Sequence, residues 1–178
     1  MRHVIDDNLG AIKAFMAHRR NDLQVIERIA ASCKQRISEL LPRTKPEYGI
    51  CHGDLHGGDV CYTDDQTPVL FDFDSSGCGW RALDIGVFLA SDQWMDTSDE
   101  AERERQRKLS LFLQGYSEER TPTANELAAI QLTPPVRHIF LMGHVLQHTT
   151  MQRGNHWADD RFIDWHMAWF HHWMKQKY

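Results

Sequence analysis

The sequence predicts an α+β domain, mainly α-helical, with a small β-hairpin sheet inserted into it. Three observations carry this expectation. Apolar residues recur at helical spacing up to residue 42 and again from residue 81 onward. Between residues 48 and 74 that spacing gives way to short apolar runs separated by glycines. The 178 residues, 42% of them hydrophobic, suffice for one domain with its own core.

Each element follows in order. Residues 8–18 read as a short helix with Leu9, Ile12, Phe15 and Met16 on one face. Asp22 is expected to cap a longer helix, in which Ile26, Ile29, Ala30, Cys33, Ile37, Leu40 and Leu41 keep helical spacing until Pro42 stops it. Residues 43–47 form a polar loop containing Pro46. Tyr48 with Ile50, and Val69 with Leu70 and Phe71, read as short buried strands, with Asp64-Asp65-Gln66-Thr67 as the hairpin turn. Ser75 to Trp80 reads as a glycine-containing loop, and Arg81 to about Ala90 as a helix bearing Asp84. After the polar, acidic residues 96–100, a charged amphipathic helix over 101–116 presents Leu109, Phe112, Leu113 and Tyr116. Thr123 and Glu126 make a capping box for a helix through about Leu132. Thr133-Pro134-Pro135 opens another that runs to about Gly154. In the last helix, about 160–176, Phe162, Trp165, His166, Trp169, Phe170 and Trp173 fall on one stripe that docks on the core. A sharper reading has one or two of these aromatics lining an acceptor pocket.

Composition excludes several function classes. A net charge of −5 argues against a nucleic-acid or acidic-membrane surface. The start, Met-Arg-His-Val-Ile-Asp-Asp, has no apolar signal core, and no run reaches transmembrane length. Cys33, Cys51, Cys61 and Cys78 form no Cys-x-x-Cys pair, which fits a reduced, cytoplasmic protein.

The chemistry concentrates in residues 49–74: Gly-Ile-Cys-His-Gly-Asp-Leu-His-Gly-Gly-Asp-Val-Cys-Tyr, a turn, then Val-Leu-Phe-Asp-Phe-Asp. Gly53, Gly57 and Gly58 interrupt any regular helix and allow close backbone approach to a ligand. Asp54, Asp59 and Asp72 are thereby carried on loops at strand ends, an arrangement suited to Mg²⁺ and phosphate because hard cations prefer oxygen ligands. His52-x-Asp54, four residues, then Asp59 reproduces the His-x-Asp-x-x-x-x-Asn frame of the protein-kinase catalytic loop, with Asp where that frame has Asn.

The string His-Gly-Asp-Leu-His-Gly-Gly-Asp resembles the aminoglycoside phosphotransferase family, which includes choline kinase-like enzymes and whose loop reads His-Gly-Asp-x-His-x-x-Asn. Phe71-Asp72-Phe73 and Ala82-Leu83-Asp84-Ile85-Gly86 are similar to that family's following blocks. The resemblance covers about residues 48–90. It implies the C-terminal lobe of a protein kinase-like fold: N-terminal helices over 1–47, catalytic loop and metal hairpin over 48–74, and a helical subdomain over 75–178. It implies an ATP-dependent phosphotransferase that moves the γ-phosphate to a hydroxyl of a small molecule, with Mg²⁺ or Mn²⁺ as cofactor. Asp54 would be the catalytic base, and Asp59 and Asp72 the metal ligands. His52 and His56 would stand on the cofactor side, the first holding the loop by hydrogen bonding and the second contacting the loop or the phosphates. Asp84 would brace the loop through backbone N–H groups, and Asp74 is either a further acid near the metal or simply exposed. Asp59 departs from the family's Asn. Three close carboxylates repel one another unless a cation sits between them, so Asp59 either tightens metal binding or marks a lapsed site.

A kinase-like ATP site also needs a Gly-rich loop and a strand Lys paired with a helix Glu. Residues 1–47 hold only Gly10, and Lys13, Lys34 and Lys45 lie in helices or loops. The N-terminal ATP-gripping lobe is therefore expected to be absent, leaving a partner lobe or self-association to complete the site. Two rivals stand beside the enzyme. One is a non-catalytic pseudo-kinase or binding module. The other is a metal-dependent hydrolase using His52 and His56, whose spacing of four needs a helix that the glycines oppose. Trp80, Asp92, Trp94, Asp159, Asp160 and Trp165 would suit a cationic or amphipathic acceptor.

Overall fold

A computed structural model describes residues 2–90, 95–151 and 158–177. The described residues form seven α-helices and four short strands, the strands all lying between the second and third helices, so the mainly helical expectation holds. The chain divides into two compact units, residues 1–36 with 135–178 and residues 37–134.

The first unit is built from helices. After a π-helical turn over Arg2–Asp6, α1 spans Asp7–Phe15 and α2 spans Arg20–Leu40. α2 begins two residues before Asp22, which therefore lies in the first turn and does not cap it. The Asp22 carboxylate instead accepts from Arg19 Nε at 2.7 Å, and Arg19 also meets Asp164 at 2.6 Å. Helix α6 covers Thr133–Met151 and α7 covers Asp160–Lys177; the expected end of α6 near Gly154 lies outside the described residues. Ile12, Ile26, Ile139, Met142, Leu146, Ile163 and Phe170 are fully buried, which is the helical stripe the spacing required. A side chain at Gly143 would strike Asn8, so glycine sets how closely those segments approach. The aromatic stripe of α7 is buried at His166, Trp169, Phe170 and Trp173 as expected, joined by Ile163 and Met167, while Trp165 departs from it at 54% exposed.

The second unit carries both sheets. Strands β1 (Tyr48–Cys51) and β4 (Gly77–Trp80) pair antiparallel with Tyr48 opposite Trp80 and Cys51 opposite Gly77. β4 replaces the loop expected over 75–80. Its two glycines suppress local strand propensity, and the pairing with β1 overrides that preference. Strands β2 (Val60–Tyr62) and β3 (Pro68–Leu70) form the hairpin, with Val60 opposite Leu70. Neither apolar run is buried as expected: Ile50 is 81% exposed, and Val69, Leu70 and Phe71 are also exposed. The reason is that an antiparallel pair can leave a face to water: in β1 the alternation buries Cys51 and turns Ile50 outward, and Cys61, Tyr62 and Pro68–Leu70 of the hairpin lie exposed.

Helix α3 spans Arg81–Ala90, α4 spans Asp99–Glu119 and α5 spans Ala124–Ile130. α4 starts earlier than its apolar stripe because Ser98 caps it, its oxygen accepting from Ala101 N. The Thr123–Glu126 capping box forms as read. Burial alone would raise the Glu126 carboxyl, but the Arg120 guanidinium and the Thr123 backbone amide hold it below the usual carboxylate range. No described helix is long and apolar enough to cross a membrane.

Candidate active site

The loop that presents Asp54 is held from within its own unit. β1 ends at Cys51, and the next two backbone amides point at one carboxylate. Asp84 Oδ2 accepts from His52 N at 2.6 Å, and Asp84 Oδ1 accepts from Gly53 N at 2.9 Å. Asp84 sits in the first turn of α3, whose dipole also favours negative charge there. A helix-borne acid thus fixes the loop through two charge-assisted bonds. Gly53 has φ +88°, and a Cβ there would collide with the carbonyl oxygen of Ser75. Only glycine fits this turn, and Asp54 follows it, half-buried. Beneath the loop, burial and the neighbouring Asp84 charge push the Cys51 thiol up to about 12, so it acts as a packing group.

His52 is buried, and its Nε2 lies 2.8 Å from the carbonyl oxygen of Phe71. A carbonyl only accepts, so Nε2 carries the proton. The ring packs against Phe73 with centroids 4.6 Å apart. His52 therefore ties the Asp54 loop to the segment bearing Asp72, and its N–H is committed to that bond. His56 lies at the start of a 3₁₀ turn over Gly57–Asp59, where its Nδ1 accepts from Gly58 N at 3.1 Å. This leaves His56 Nε2 toward Asp59 Oδ2, at 3.5 Å. Residues 52–56 are not helical, so these two rings share no helix face of the kind a zinc pair needs.

Asp59 is buried and Asp72 is exposed. Phe71 N donates to Asp59 O at 3.1 Å, which places the two acids on hydrogen-bonded neighbouring segments. Asp72 adopts φ 63°, ψ 57°, a left-handed conformation uncommon outside glycine and asparagine or aspartate. Strain of this kind concentrates at functional positions. Asp74 is exposed. Among the described residues, no three His, Cys, Asp or Glu side chains form a ready-made metal cage. The donor set still fits a hard cation, because Mg²⁺ is commonly held by one or two carboxylates together with water and substrate phosphates.

The sequence-read acceptor residues divide. Trp80 is buried, and its Nε1 donates to Pro42 O at 2.9 Å. Asp159 accepts from the Arg161 and Phe162 amides, and Asp160 meets His18 at 3.0 Å. Those groups have structural employment, while Asp92 and Trp94 lie outside the described residues. Sequence reasoning missed Phe71, whose backbone bonds both Asp59 and His52, and the Ser75 carbonyl that demands glycine at 53. Backbone roles of this kind leave no side-chain signal; the only trace of the second is the glycine itself.

A family model described as "Phosphotransferase enzyme family" (APH) matches residues 2–121. The chain belongs to this phosphotransferase family. Amicoumacin kinase of Bacillus subtilis is 31% identical over 110 residues, covering 58% of this chain and 31% of that protein. An uncharacterised protein of Deinococcus radiodurans is 29% identical over 143 residues, covering 80% of this chain and 40% of its own length. Among solved structures, an amicoumacin kinase in complex with AMP-PNP, Ca²⁺ and Ami matches with a TM-score of 0.65 and 28% identity. That match covers 83% of this chain and 42% of the other, and the kinase-like fold follows from it. The chain of this family member thus spans well under half the length of the relatives it matches.

Proposed function

We propose that this phosphotransferase-family chain supplies the acceptor-activating and metal-holding half of an ATP-dependent kinase acting on a small-molecule hydroxyl. The carrying observation is the loop at Asp54, fixed by two backbone N–H groups donating to Asp84 and joined through Phe71 to the segments of Asp59 and Asp72. Phosphoryl transfer depends on positioning and charge neutralisation. Asp54 accepts a hydrogen bond from the acceptor hydroxyl, orients its oxygen in line with the γ-phosphorus, and takes the proton as the new P–O bond forms and the bond from the γ-phosphorus to the β–γ bridging oxygen breaks, releasing ADP. Asp59 and Asp72 hold Mg²⁺ or Mn²⁺, which when bound neutralises charge on the transferring phosphate. His56 keeps Asp59 aimed, and His52 keeps Asp72 in register with the loop. Reduced thiols and an ATP-consuming reaction agree with a cytoplasmic setting.

Full turnover requires a phosphate-gripping glycine-rich loop and a strand lysine, and residues 1–47 offer only Gly10 and lysines in helices or loops. The compound named for two relatives makes amicoumacin the first acceptor to test. The experiment joins the chain to the ATP-gripping lobe of the Bacillus subtilis amicoumacin kinase, and measures phosphate transfer from MgATP to amicoumacin, aminoglycosides and small alcohols. Transfer to one of these supports the enzyme. Nucleotide binding without transfer to any of them favours the alternative of a non-catalytic binding module, a reading favoured by Asp59 in the family's Asn position.

A further inference from the structure

Helix α4 carries three features that packing within its own chain does not explain. Its inner side is plain: Leu109, Phe112, Leu113 and Tyr116 are half-buried, and the Phe112 ring lies 5.4 Å from that of Phe88. The opposite side carries Leu111, 54% exposed. At about 100° per residue, Arg107, Lys108, Gln114, Gly115 and Glu118 lie within about 60° of Leu111, and Glu119 within about 80°. Gly115 lies within the helix, where glycine is the poorest former after proline. A Cβ there would meet nothing within 4 Å, so no neighbour in the molecule asks for glycine. Glu118 and Glu119 are exposed in the last turn, where the helix dipole disfavours negative charge. Among the described residues neither has an ion-pair partner.

One contact accounts for all three. Laid antiparallel on the same face of a second copy, with Leu113 at the level of the crossing, α4 sets its Leu111 over Gly115 of the other copy. Arg107 then meets Glu118 of that copy along one side of the stripe, and Lys108 meets Glu119 along the other. Two-fold symmetry repeats each contact. The missing Cβ lets the backbones approach, and the basic residues neutralise the acids at the helix end. Arg107 already bonds Glu104 through Nε and Nη2, both at 2.8 Å, and its guanidinium keeps further N–H groups for a second carboxylate. A parallel pairing would set like charges against each other, and a partner of uniform charge would suit only the basic or only the acidic part of the stripe. We propose that this outer face of α4 is a self-complementary contact between two copies of the chain, with Leu111 on Gly115, Arg107 facing Glu118 and Lys108 facing Glu119. A single helix stripe falls short of the ~1,200 Å² that stable interfaces bury, so the dimer is reversible. The contact uses none of Asp54, Asp59 and Asp72, and it stands whether or not the chain transfers phosphate.

Sedimentation equilibrium of the chain, loaded from about 5 to 500 µM, reads the association. A monomer–dimer equilibrium that weakens as salt rises is expected. Leu111→Gln and Lys108→Glu are each expected to raise the dissociation constant about tenfold. Glu119→Lys is expected to do the same without lowering the thermal midpoint of the dilute monomer, because it places a favourable charge at the helix end. Lys108→Glu mixed with Glu119→Lys is expected to associate about as tightly as the parent, since each reversed charge then meets its opposite. Trp165→Ser on α7, at the same 54% exposure as Leu111, is expected to leave association unchanged. Far-UV circular dichroism checks that each variant keeps its helices. A monomer at every concentration would overturn the proposal. So would a dimer indifferent to Leu111→Gln or to Lys108→Glu, a dimer lost with Trp165→Ser, or two charge variants that associate no better mixed than alone.

Discussion

The two strand pairs of the 37–134 unit are alike in size and opposite in character. β1 and β4 are anchored: Cys51 and Trp80 are buried, Trp80 Nε1 reaches Pro42 O, and Asp84 grips the amides just past β1. In β2 and β3, Val60 is half-buried and Cys61, Tyr62, Pro68, Val69 and Leu70 are exposed. The first pair presents Asp54, and the second lies between Asp59 and Asp72. The difference teaches that the proposed base and the proposed metal acids depend on different supports. The Asp54 loop is held by Asp84 from within the same unit, whereas Asp59 and Asp72 flank a largely exposed ribbon.

The largest expected effect tests the anchored side. Asp84→Ala removes two charge-assisted bonds and leaves two amides unsatisfied, for a loss of about 3 kcal/mol. Chemical denaturation reads the loss, and hydrogen exchange at His52 and Gly53 localises it. A variant as stable as the parent would erase the contrast between the two pairs.

An acid scan sharpens the comparison from outside both pairs. Burial lowers the His166 imidazole from 6.5 to about 4. The unfolded chain therefore takes up this proton first. The stability from a neutral His166 is complete above pH 6.5, falls as pH drops toward 4, and levels below that, by about 3 kcal/mol in all. The loss should appear by hydrogen exchange in α6 and α7, and His166→Phe should flatten it. A loss focused on the Asp54 loop would show that the loop's anchoring is itself acid-labile.

Smaller effects belong to the bare pair. Asp72→Gly relieves a left-handed backbone and should raise stability by about 1 kcal/mol while removing a proposed metal acid. Phe71→Ser and Tyr62→Ser, on side chains already in water, should change the stability of the isolated chain by about 0.5 kcal/mol or less. Losses several times larger would mean that the hairpin is packed after all.

These contrasts explain what the sequence could disclose. Helices were legible because their apolar spacing is a local property: Ile26, Ile29, Cys33 and Ile37 are all buried where the period put them. The Thr123–Glu126 box was legible because both partners lie within one turn. β4 was not, since Gly77 and Gly79 hide a strand that exists only by pairing with residues about thirty positions away. The exposure of Val69, Leu70 and Phe71 was also illegible, because an apolar run looks the same in sequence whether or not another element packs on it. In the site, the Asp84 bracing of the loop was foreseen from the family blocks, while the Phe71 backbone junction carried no signature.

One measurement bears most directly on the claim that a braced Asp54 activates the acceptor. The phosphate-transfer rate of the lobe-completed chain is compared with that of its Asp54→Asn variant, alongside thermal unfolding of both. A rate about 10²–10⁴-fold lower, with an unchanged unfolding midpoint, is the predicted result. Equal rates would contradict it.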